Sequence, residues 1–220
     1  MFYESARSAT RGLISATCHP TIVGLENVPQ DGPFIVAPNH LSFLDSVLIQ
    51  TILPRKVAFF AKAEYFTTKG IKGRFMKSFF TAVGSIPVER GEQAASVAAL
   101  KSLLDLLAAG DGVGIYPEGT RSRDGKLYRG RTGVGWLALT TGAPVLPVGL
   151  RDTDKLQPAG RNAIKPQHFS LTVGKPLYFE KTGPDHSLPA RRAATDQIMD
   201  AIAAITGQER VERYNQSKSV

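Results

Sequence analysis

Residues 34–61 read FIVAPNHLSFLDSVLIQTILPRKVAFFA and predict a strand, a helix and a second strand, in that order. Phe34–Ala37 is an uninterrupted apolar run with the length of a buried strand, and Val57–Ala61 is another. Between them, Leu44–Leu53 is mostly apolar and long enough for a helix, and Pro54 ends it. Strands that alternate with helices in this way indicate an α/β fold with a partly parallel sheet.

The same alternation continues along the chain. Glu92–Ala109 is the clearest helix, because apolar residues recur along it at helical spacing and Gly110 follows it. The other predicted helices cover residues 2–17, 65–81 in part, 130–141 and 188–206, and the other predicted strands cover residues 83–88, 112–116, 145–150 and 169–173. The predicted fold is therefore a layered α/β fold, with a mostly parallel central sheet flanked by helices and a short amphipathic helix at the N-terminus.

Length and composition define the class of protein. The chain has 220 residues, of which 42% are hydrophobic and 21% are charged, so it fits one folded domain and is not intrinsically disordered. We expect an N-terminal amphipathic helix over residues 1–19, one folded domain over residues 20–207, and a loose polar tail over residues 208–220. The single cysteine, Cys18, excludes an internal disulfide and a Cys-rich zinc site, and we predict no metal site.

The net charge of +8 favours anionic partners: nucleic acid, anionic lipid or a phosphorylated substrate. The longest apolar stretch, residues 94–110, is interrupted by Lys101 and Asp105 and does not predict a transmembrane span. The first residues lack the apolar core and cleavage site of a signal peptide. We therefore expect a soluble or peripheral protein on the cytoplasmic side of the membrane.

The first candidate for chemistry is His40, which follows the predicted strand Phe34–Ala37 and precedes Asp45 by five residues. On a continuous helix, five residues correspond to a rotation of about 140°, so the two side chains would point apart. If His40 lies in the strand-to-helix turn, Asp45 can reach one imidazole nitrogen and leave the other to act as a base. The alternative is that Asn39 or Ser42 caps the helix, Asp45 favours its positive N-terminus, and His40 is incidental.

The second candidate is the segment Glu118-Gly119-Thr120-Arg121, which also follows a predicted strand. A glycine-containing turn with exposed backbone N–H groups and an arginine is suited to binding a phosphate. Glu118 fits such a site if it binds a hydroxyl or orients Arg121. The segment is not a P-loop, because no Gly-Lys-Ser/Thr follows at the required spacing. The alternative is a polar turn with a solvated arginine.

Two further segments are each compatible with two roles. Arg90, beside Gly91, either binds a phosphate or pairs with Glu89 or Glu92. Residues 142–149 hold two prolines around an apolar pair, and either line an apolar channel or form a buried strand with a bulge.

Together, the four segments follow the order of sequence blocks in a known family. His40-x4-Asp45 comes first, followed by Gly-Ser-Ile-Pro-Val-Glu-Arg over residues 84–90, by Glu118-Gly-Thr-Arg121, and by the apolar Pro-x-x-Pro segment. On these blocks the chain resembles the glycerolipid acyltransferase family, which includes 1-acyl-sn-glycerol-3-phosphate acyltransferases, over roughly residues 20–175. One departure concerns the N-terminus: bacterial members often carry longer apolar helices than the short helix predicted here.

The resemblance implies transfer of a fatty acyl group to the free hydroxyl of 1-acyl-sn-glycerol 3-phosphate, which makes phosphatidic acid. The donor it implies is an acyl thioester, either acyl-CoA or acyl carrier protein, and no cofactor is implied. His40 would be the general base, oriented by Asp45, and the acceptor hydroxyl would attack the thioester directly. Arg90 and Glu118-Gly119-Thr120-Arg121 would bind the acceptor. Lys62 joins them because Ala61-Lys62-Ala-Glu64 resembles the family's Ala-Lys-x-Glu stretch.

Long acyl chains on both substrates imply contact with an anionic membrane surface. Lys69, Lys72, Arg74 and Lys77 alternate with aromatic and apolar residues, and no acidic residue interrupts them. Residues 2–14 form the second candidate surface. For each of the two segments, the alternative is ordinary packing with a solvated basic face.

Two alternative functions remain open at this stage. The first is the same chemistry on another acceptor: glycerol 3-phosphate, another lysophospholipid or a glycolipid. The second is a basic peripheral membrane-binding module without enzymatic activity, which would leave the ordered sequence blocks unexplained. Nucleic acid is not an expected partner, because the sequence holds no recognised binding motif for it.

Overall fold

A seven-stranded sheet runs through the centre of the protein in a computed structural model that describes residues 2–68, 70, 73–74, 77–78, 81, 85–88, 93–157 and 164–216. The strands in chain order are β1 (Thr21–Val23), β2 (Phe34–Pro38), β3 (Val57–Lys62), β4 (Ile86–Val88), β5 (Gly112–Gly114), β6 (Leu127–Tyr128), β7 (Val145–Arg151), β8 (Ser170–Val173) and β9 (Arg210–Val211). The order in the large sheet is β1-β8-β7-β2-β5-β3-β4, and β6 pairs with β9 in a separate two-stranded sheet.

Helices cover both faces of this sheet. In chain order they are α1 (Phe2–Cys18), α2 (Asp45–Ile52), α3 (Glu64–Thr67), α4 (Gln93–Ala108), α5 (Gly133–Thr141), α6 (Thr153–Leu156) and α7 (Leu188–Thr206). A short 3-10 helix, Leu25–Asn27, follows β1. Among the helices of the described residues, none combines the length and the apolar character needed to span a membrane.

Five neighbouring strands, β7, β2, β5, β3 and β4, are mutually parallel, and among the described strands of this sheet only β8 runs antiparallel to a neighbour, β7. The predicted layered α/β fold with a mostly parallel sheet is therefore confirmed. β2 and β5 are adjacent, with Val36 opposite Gly114. Their carboxyl ends consequently lie side by side at one edge of the sheet, which is where open α/β sheets place their functional sites.

The strand β2 is buried along its whole length, because successive side chains enter two different hydrophobic layers. Phe34 and Val36 pack in a layer that includes the apolar side of α2. Ile35 and Ala37 pack in the opposite layer, with apolar side chains from α4, α5 and α7. Burial on both faces explains why this stretch of sequence is continuously apolar instead of alternating.

Some element boundaries differ from those predicted. The strand predicted over residues 112–116 is assigned only as Gly112–Gly114, and Ile115 still donates its N–H to the carbonyl of Val36. The helix predicted from residue 130 begins at Gly133, and Arg131, which precedes it, donates its backbone N–H to the carbonyl of Pro117. Within residues 65–81, the described residues are helical except Thr68. In the strand predicted over residues 83–88, residues 83 and 84 lie outside the described residues.

Residues 208–216 of the polar tail predicted over residues 208–220 are among the described residues, and they contact the folded domain. β9 lies within this tail and pairs in parallel with β6, and Leu127 donates its backbone N–H to the carbonyl of Glu209 at 2.9 Å. A two-residue strand is too short to show the alternation by which strands are recognised in a sequence. Residues 217–220 lie outside the described part of the chain.

Candidate active site

His40 and Asp45 meet at the carboxyl end of β2. His40 lies in the turn after the strand, Asp45 is the first residue of α2, and the imidazole Nδ1 is 2.9 Å from the carboxylate Oδ2. Because a carboxylate only accepts hydrogen bonds, Nδ1 carries the proton of this bond. The Asp45 side chain is completely buried, whereas 13% of the His40 side chain is exposed. The pair therefore has a desolvated carboxylate and an imidazole that reaches the surface.

The same oxygen of Asp45 also organises the turn. Oδ2 accepts the backbone N–H of Leu41 at 2.7 Å and that of Ser42 at 2.8 Å. Two roles that the sequence offers as alternatives for Asp45, at the helix start and as a partner of His40, are thus performed by one atom. The conformation of the turn and the orientation of the imidazole depend on each other.

Asn39, which the sequence offered as a helix cap, instead extends the sheet. Its side-chain amide donates to the carbonyl of Leu150 at 2.9 Å, and its side-chain carbonyl accepts the N–H of Leu150 at 2.7 Å. It also donates to the side chain of Gln208 at 2.8 Å. Asn39, the residue before His40, is completely buried, and its bonds to Leu150 hold it against β7.

The ring of Tyr116 stacks on the imidazole of His40, with 3.7 Å between the ring centroids and 16° between their planes. Its hydroxyl and that of Ser46 in α2 are hydrogen-bonded at 2.8 Å. Burial, followed by the nearby charge of Asp45, raises the pKa of Tyr116 well above its ordinary value, although the bond with Ser46 opposes the shift. The phenol therefore stays neutral at physiological pH. No role was predicted for this tyrosine from the sequence, in which it is the last residue of the strand predicted over residues 112–116.

Glu118 joins the two loops at this edge of the sheet. One carboxylate oxygen accepts the backbone N–H of His40 at 3.3 Å, and the other accepts that of Tyr128 at 3.0 Å. Only 1% of Glu118 is exposed. The Glu118 oxygens thus accept hydrogen bonds from backbone N–H groups and not from Arg121. Glu118 therefore links the turn that contains His40 to the loop that contains Tyr128.

The pKa of Glu118 is raised to about 7. Burial is the main cause, the two accepted N–H bonds act in the opposite direction, and the charges of Asp124 and Asp45 raise it further. Glu118 consequently changes its protonation state near neutral pH.

The Gly119-Thr120-Arg121 turn lies next to His40. Gly119 has a φ of +73°, which a residue with a side chain rarely adopts, and its N–H donates to the carbonyl of Tyr116 at 3.0 Å. Ser122 donates its N–H to the carbonyl of His40 at 2.8 Å. Arg121 is exposed, so its guanidinium is accessible to an anion.

The other two predicted binding residues are Lys62 and Arg90. Lys62 ends β3, which is parallel to β5, so its backbone lies at the same edge of the sheet as His40 and Glu118. Its side chain is outside what the structure describes, and so is the whole of Arg90. In the described part of the chain, no group of three or more His, Cys, Asp and Glu side chains is arranged to hold a metal ion.

Comparison with known proteins identifies the family to which this arrangement belongs. A family model described as Acyltransferase matches residues 19–151, which is more than half of the chain and includes His40, Asp45 and the Glu118–Arg121 segment. The chain belongs to the acyltransferase family. The family resemblance inferred from the sequence blocks is thereby confirmed.

Relatives of this acyltransferase chain share the name 1-acyl-sn-glycerol-3-phosphate acyltransferase. A chloroplastic 1-acyl-sn-glycerol-3-phosphate acyltransferase of Brassica napus is 35% identical over 162 residues, which cover 73% of this chain and 45% of that protein. A 1-acyl-sn-glycerol-3-phosphate acyltransferase of Bacillus subtilis is 29% identical over 178 residues, which cover 80% of this chain and 82% of that protein. The chain therefore spans about half the length of the Brassica napus protein and most of the length of the Bacillus subtilis protein.

A solved structure has a similar fold. The crystal structure of the 1-acyl-sn-glycerophosphate acyltransferase PlsC of Thermotoga maritima aligns with a TM-score of 0.63 and 26% sequence identity. The alignment covers 93% of this acyltransferase chain and 84% of that protein. The likeness therefore extends beyond the residues matched by the family model.

Glu118 should make the stability of the protein depend on pH. A carboxyl whose pKa is raised to about 7 in the folded state stabilises the protein fully only below the unfolded value of 4.5, and this contribution is lost as the pH rises through about 7. Between pH 4.5 and pH 8 we expect a loss of about 3 kcal/mol in the free energy of unfolding. Glu118→Gln removes this titration. Over the same pH interval, the free energy of unfolding of the variant should therefore fall by about 3 kcal/mol less than that of the unsubstituted protein.

Urea denaturation at several pH values measures this difference. Glu26→Gln replaces an exposed carboxyl and serves as the matched control, which should follow the unsubstituted protein. Parallel pH curves for Glu118→Gln and the unsubstituted protein would show that Glu118 does not titrate in this range.

Proposed function

We propose that this chain transfers a fatty acyl group from an acyl thioester to the free hydroxyl of 1-acyl-sn-glycerol 3-phosphate, forming phosphatidic acid. The observation that carries the proposal is the contact of the partly exposed His40 imidazole with the buried Asp45 carboxylate at 2.9 Å. The backbone N–H of Ser122, which follows Arg121, donates to the His40 carbonyl at 2.8 Å. The names of the relatives from Brassica napus and Bacillus subtilis support this substrate class. The donor is acyl-CoA or acyl carrier protein.

In the proposed mechanism, the acceptor hydroxyl is the nucleophile. Its oxygen attacks the thioester carbonyl carbon while its proton moves to Nε2 of His40, the ring nitrogen that does not contact Asp45. The tetrahedral intermediate then breaks its carbon–sulfur bond, and the leaving thiolate takes the proton from the imidazolium. The products are the ester and a free thiol, and no acyl-enzyme forms.

The surroundings of His40 support this role. When the imidazole becomes positive, the buried charge of Asp45 lies 2.9 Å from Nδ1 and stabilises it. The hydrogen bond fixes Nδ1 as the protonated nitrogen, and the stacked ring of Tyr116 holds the imidazole plane. A base that is already oriented avoids the loss of freedom that orienting it during the reaction would require.

Arg121 is proposed to bind the phosphate of the acceptor. A guanidinium can hold a phosphate through two parallel hydrogen bonds, which set direction as well as distance. Arg121 is one residue before Ser122, whose N–H bonds to the carbonyl of His40. The phosphate and the attacking hydroxyl belong to one small glycerol unit, so binding of the phosphate by Arg121 would bring the hydroxyl near the base.

Peripheral contact with the cytoplasmic face of a membrane completes the proposal. Among the residues of the predicted basic surface, Arg74 and Lys77 are exposed, whereas Lys69 and Lys72 lie outside the described residues. Basic side chains close to an anionic bilayer each contribute about 1 kcal/mol of attraction, which falls as salt screens it. The net charge of +8 acts in the same direction.

The roles of His40 and Asp45 can be tested by substitution. We expect His40→Ala to lower kcat/KM by about 10²–10⁴-fold, because no group then takes the proton. In Asp45→Asn the side-chain oxygen can still accept the Leu41 and Ser42 N–H groups, but it carries no charge to stabilise the imidazolium, so a loss of about 10²-fold or more is expected with the fold intact. Phosphatidic acid is measured by mass spectrometry from lysophosphatidic acid with palmitoyl-CoA or palmitoyl acyl carrier protein.

Asp105→Asn is the matched control, since this carboxylate is exposed on α4, away from the site. It should retain the activity of the unsubstituted protein. Undiminished turnover by His40→Ala would remove the general base from the mechanism. Absence of product from the unsubstituted chain with both donors, together with retained liposome binding, would favour the non-enzymatic membrane module.

The role of Arg121 predicts a change in acceptor use. Arg121→Ala should raise the KM for lysophosphatidic acid by about tenfold or more, because a charge-assisted bond to phosphate is lost. It should also reduce the preference for lysophosphatidic acid over monoacylglycerol, which lacks the phosphate. Lys101→Ala, which removes an exposed positive charge from α4, controls for the general loss of charge. If both variants shift the KM equally, Arg121 has no specific role.

Membrane contact predicts a salt-sensitive loss of binding. Replacing Arg74 and Lys77 with serine should weaken binding to anionic liposomes by about thirtyfold in low salt, and this difference should diminish in high salt. The control replaces Lys101 and Lys175, which are exposed elsewhere, with serine and removes the same charge. Sedimentation with anionic and with zwitterionic liposomes measures the effect, and equal binding of the two double variants would exclude this surface.

A further inference from the structure

The C-terminal residues 208–216 are here called the C-terminal strap. They lie along residues 121–131, which follow the Gly119-Thr120-Arg121 turn, here called the phosphate-binding turn because Arg121 is proposed to bind the phosphate. Besides the pairing of β9 with β6, Arg129 donates its backbone N–H to the carbonyl of Arg213 at 3.1 Å. Lys126 and Glu209 form an ion pair at 2.7 Å, and Gln208 donates to the carbonyl of Gly125 at 2.7 Å. The strap thus contacts this loop at several points along its length.

Two residues of the strap reach the part of the loop nearest the site. The side-chain amide of Asn215 donates to the backbone carbonyl of Arg121 at 3.0 Å. The ring of Tyr214 lies 5.4 Å from the guanidinium carbon of Arg129 and 5.4 Å from that of Arg131. Tyr214 is 43% exposed, so the two guanidinium groups gather at the surface rather than in the core.

Arg131 is held against the phosphate-binding turn. A Cβ on Gly119 would lie 2.9 Å from Nε and 3.0 Å from Cδ of Arg131, so a side chain at residue 119 would displace Arg131 from this position. The backbone of Arg131 donates to the carbonyl of Pro117 at 2.8 Å. The preceding carbonyl, that of Gly130, accepts a bond from the guanidinium of Arg192 at 2.6 Å. The start of the Arg131 side chain is therefore fixed, and its guanidinium passes beside Gly119.

Two guanidinium groups on one exposed tyrosine ring repel each other and attract an anion. A phosphate monoester carries up to two negative charges at neutral pH and accepts hydrogen bonds from more than one arginine. Stacking on an aromatic ring limits the freedom of a guanidinium without neutralising its charge. The strap therefore supplies what a phosphate site requires: a positive group held in place before the ligand arrives.

We propose that Arg131 is a second guanidinium of the acceptor's phosphate site beside Arg121, and that Tyr214 and Asn215 of the C-terminal strap are positioning residues for the two arginines. The assignment of the phosphate to the acceptor rests on the proposed function. Tyr214 acts on the Arg131 side chain, and Asn215 acts on the backbone of Arg121. Neither of these two strap residues needs to touch the substrate.

Binding of glycerol 3-phosphate, measured by calorimetry with glycerol as the ligand without phosphate, tests the site apart from turnover. Arg131→Gln should weaken the binding of glycerol 3-phosphate by about tenfold or more, and Arg131→Lys by less, because a charge remains without the planar fork. Tyr214→Ala and Asn215→Ala should each weaken it by about threefold to fivefold. Tyr214→Phe retains the ring and should restore the binding.

Kinetics provide the second readout. In Tyr214→Ala and Asn215→Ala, the KM for lysophosphatidic acid should rise while kcat and the KM for the acyl thioester stay within about twofold, because only phosphate positioning changes. Glu212→Gln, an exposed substitution within the strap, is the matched control and should leave both constants unchanged. Thermal unfolding of each variant excludes loss of the fold as the cause.

Several outcomes would overturn the proposal. The first is an unchanged affinity of Arg131→Gln for glycerol 3-phosphate, and the second is no measurable binding of glycerol 3-phosphate by the unsubstituted chain. The third is a rise confined to the KM for the thioester in Tyr214→Ala and Asn215→Ala, which would assign the arginines to the donor. Failure of the proposed function gives a different result. If the chain makes no phosphatidic acid but Arg131→Gln still weakens the binding of glycerol 3-phosphate, the phosphate site stands and the acyl transfer does not.

Discussion

One buried carboxylate oxygen, Oδ2 of Asp45, holds the site together. It accepts N–H groups from Leu41 and Ser42, and it lies 2.9 Å from the imidazole of His40. A buried carboxylate is costly unless donors surround it, and the turn supplies these donors only when it folds back over the start of α2. The same closure brings the imidazole to the carboxylate. The start of α2, the conformation of the turn and the orientation of the imidazole therefore all depend on the hydrogen bonds of this one oxygen.

A second loop is coupled to this turn through the backbone. Glu118 accepts N–H groups from His40 and Tyr128, and Ser122 donates to the carbonyl of His40. These bonds are possible because β2 and β5 are adjacent and parallel, so their loops leave the sheet together. The proposed base and the proposed phosphate-binding turn consequently cannot move independently. The C-terminal strap extends this coupling to the outer side of the second loop.

Several features of the site were predictable because they depend on local pattern. The apolar run before His40 predicts a strand, and the spacing to Asp45 permits contact if His40 lies in the turn. The sequence left open whether Asp45 favours the helix start or partners His40, and the structure shows that the two are the same arrangement. Asn39 was misjudged as a possible cap, because its true partner, Leu150, is distant in the chain.

By itself, the sequence determined the alternation of strands and helices, the family, the position of His40 and the Glu118–Arg121 segment after strands, and the spacing of His40 and Asp45. These follow from apolar periodicity, turn residues and short motifs, which are written in neighbouring residues. Only the tertiary structure decided that Tyr116 stacks on His40, that Glu118 bridges two loops, and that Asn215 reaches Arg121. Such contacts join residues far apart in the chain, and the packing of the sheet that creates them leaves no local pattern.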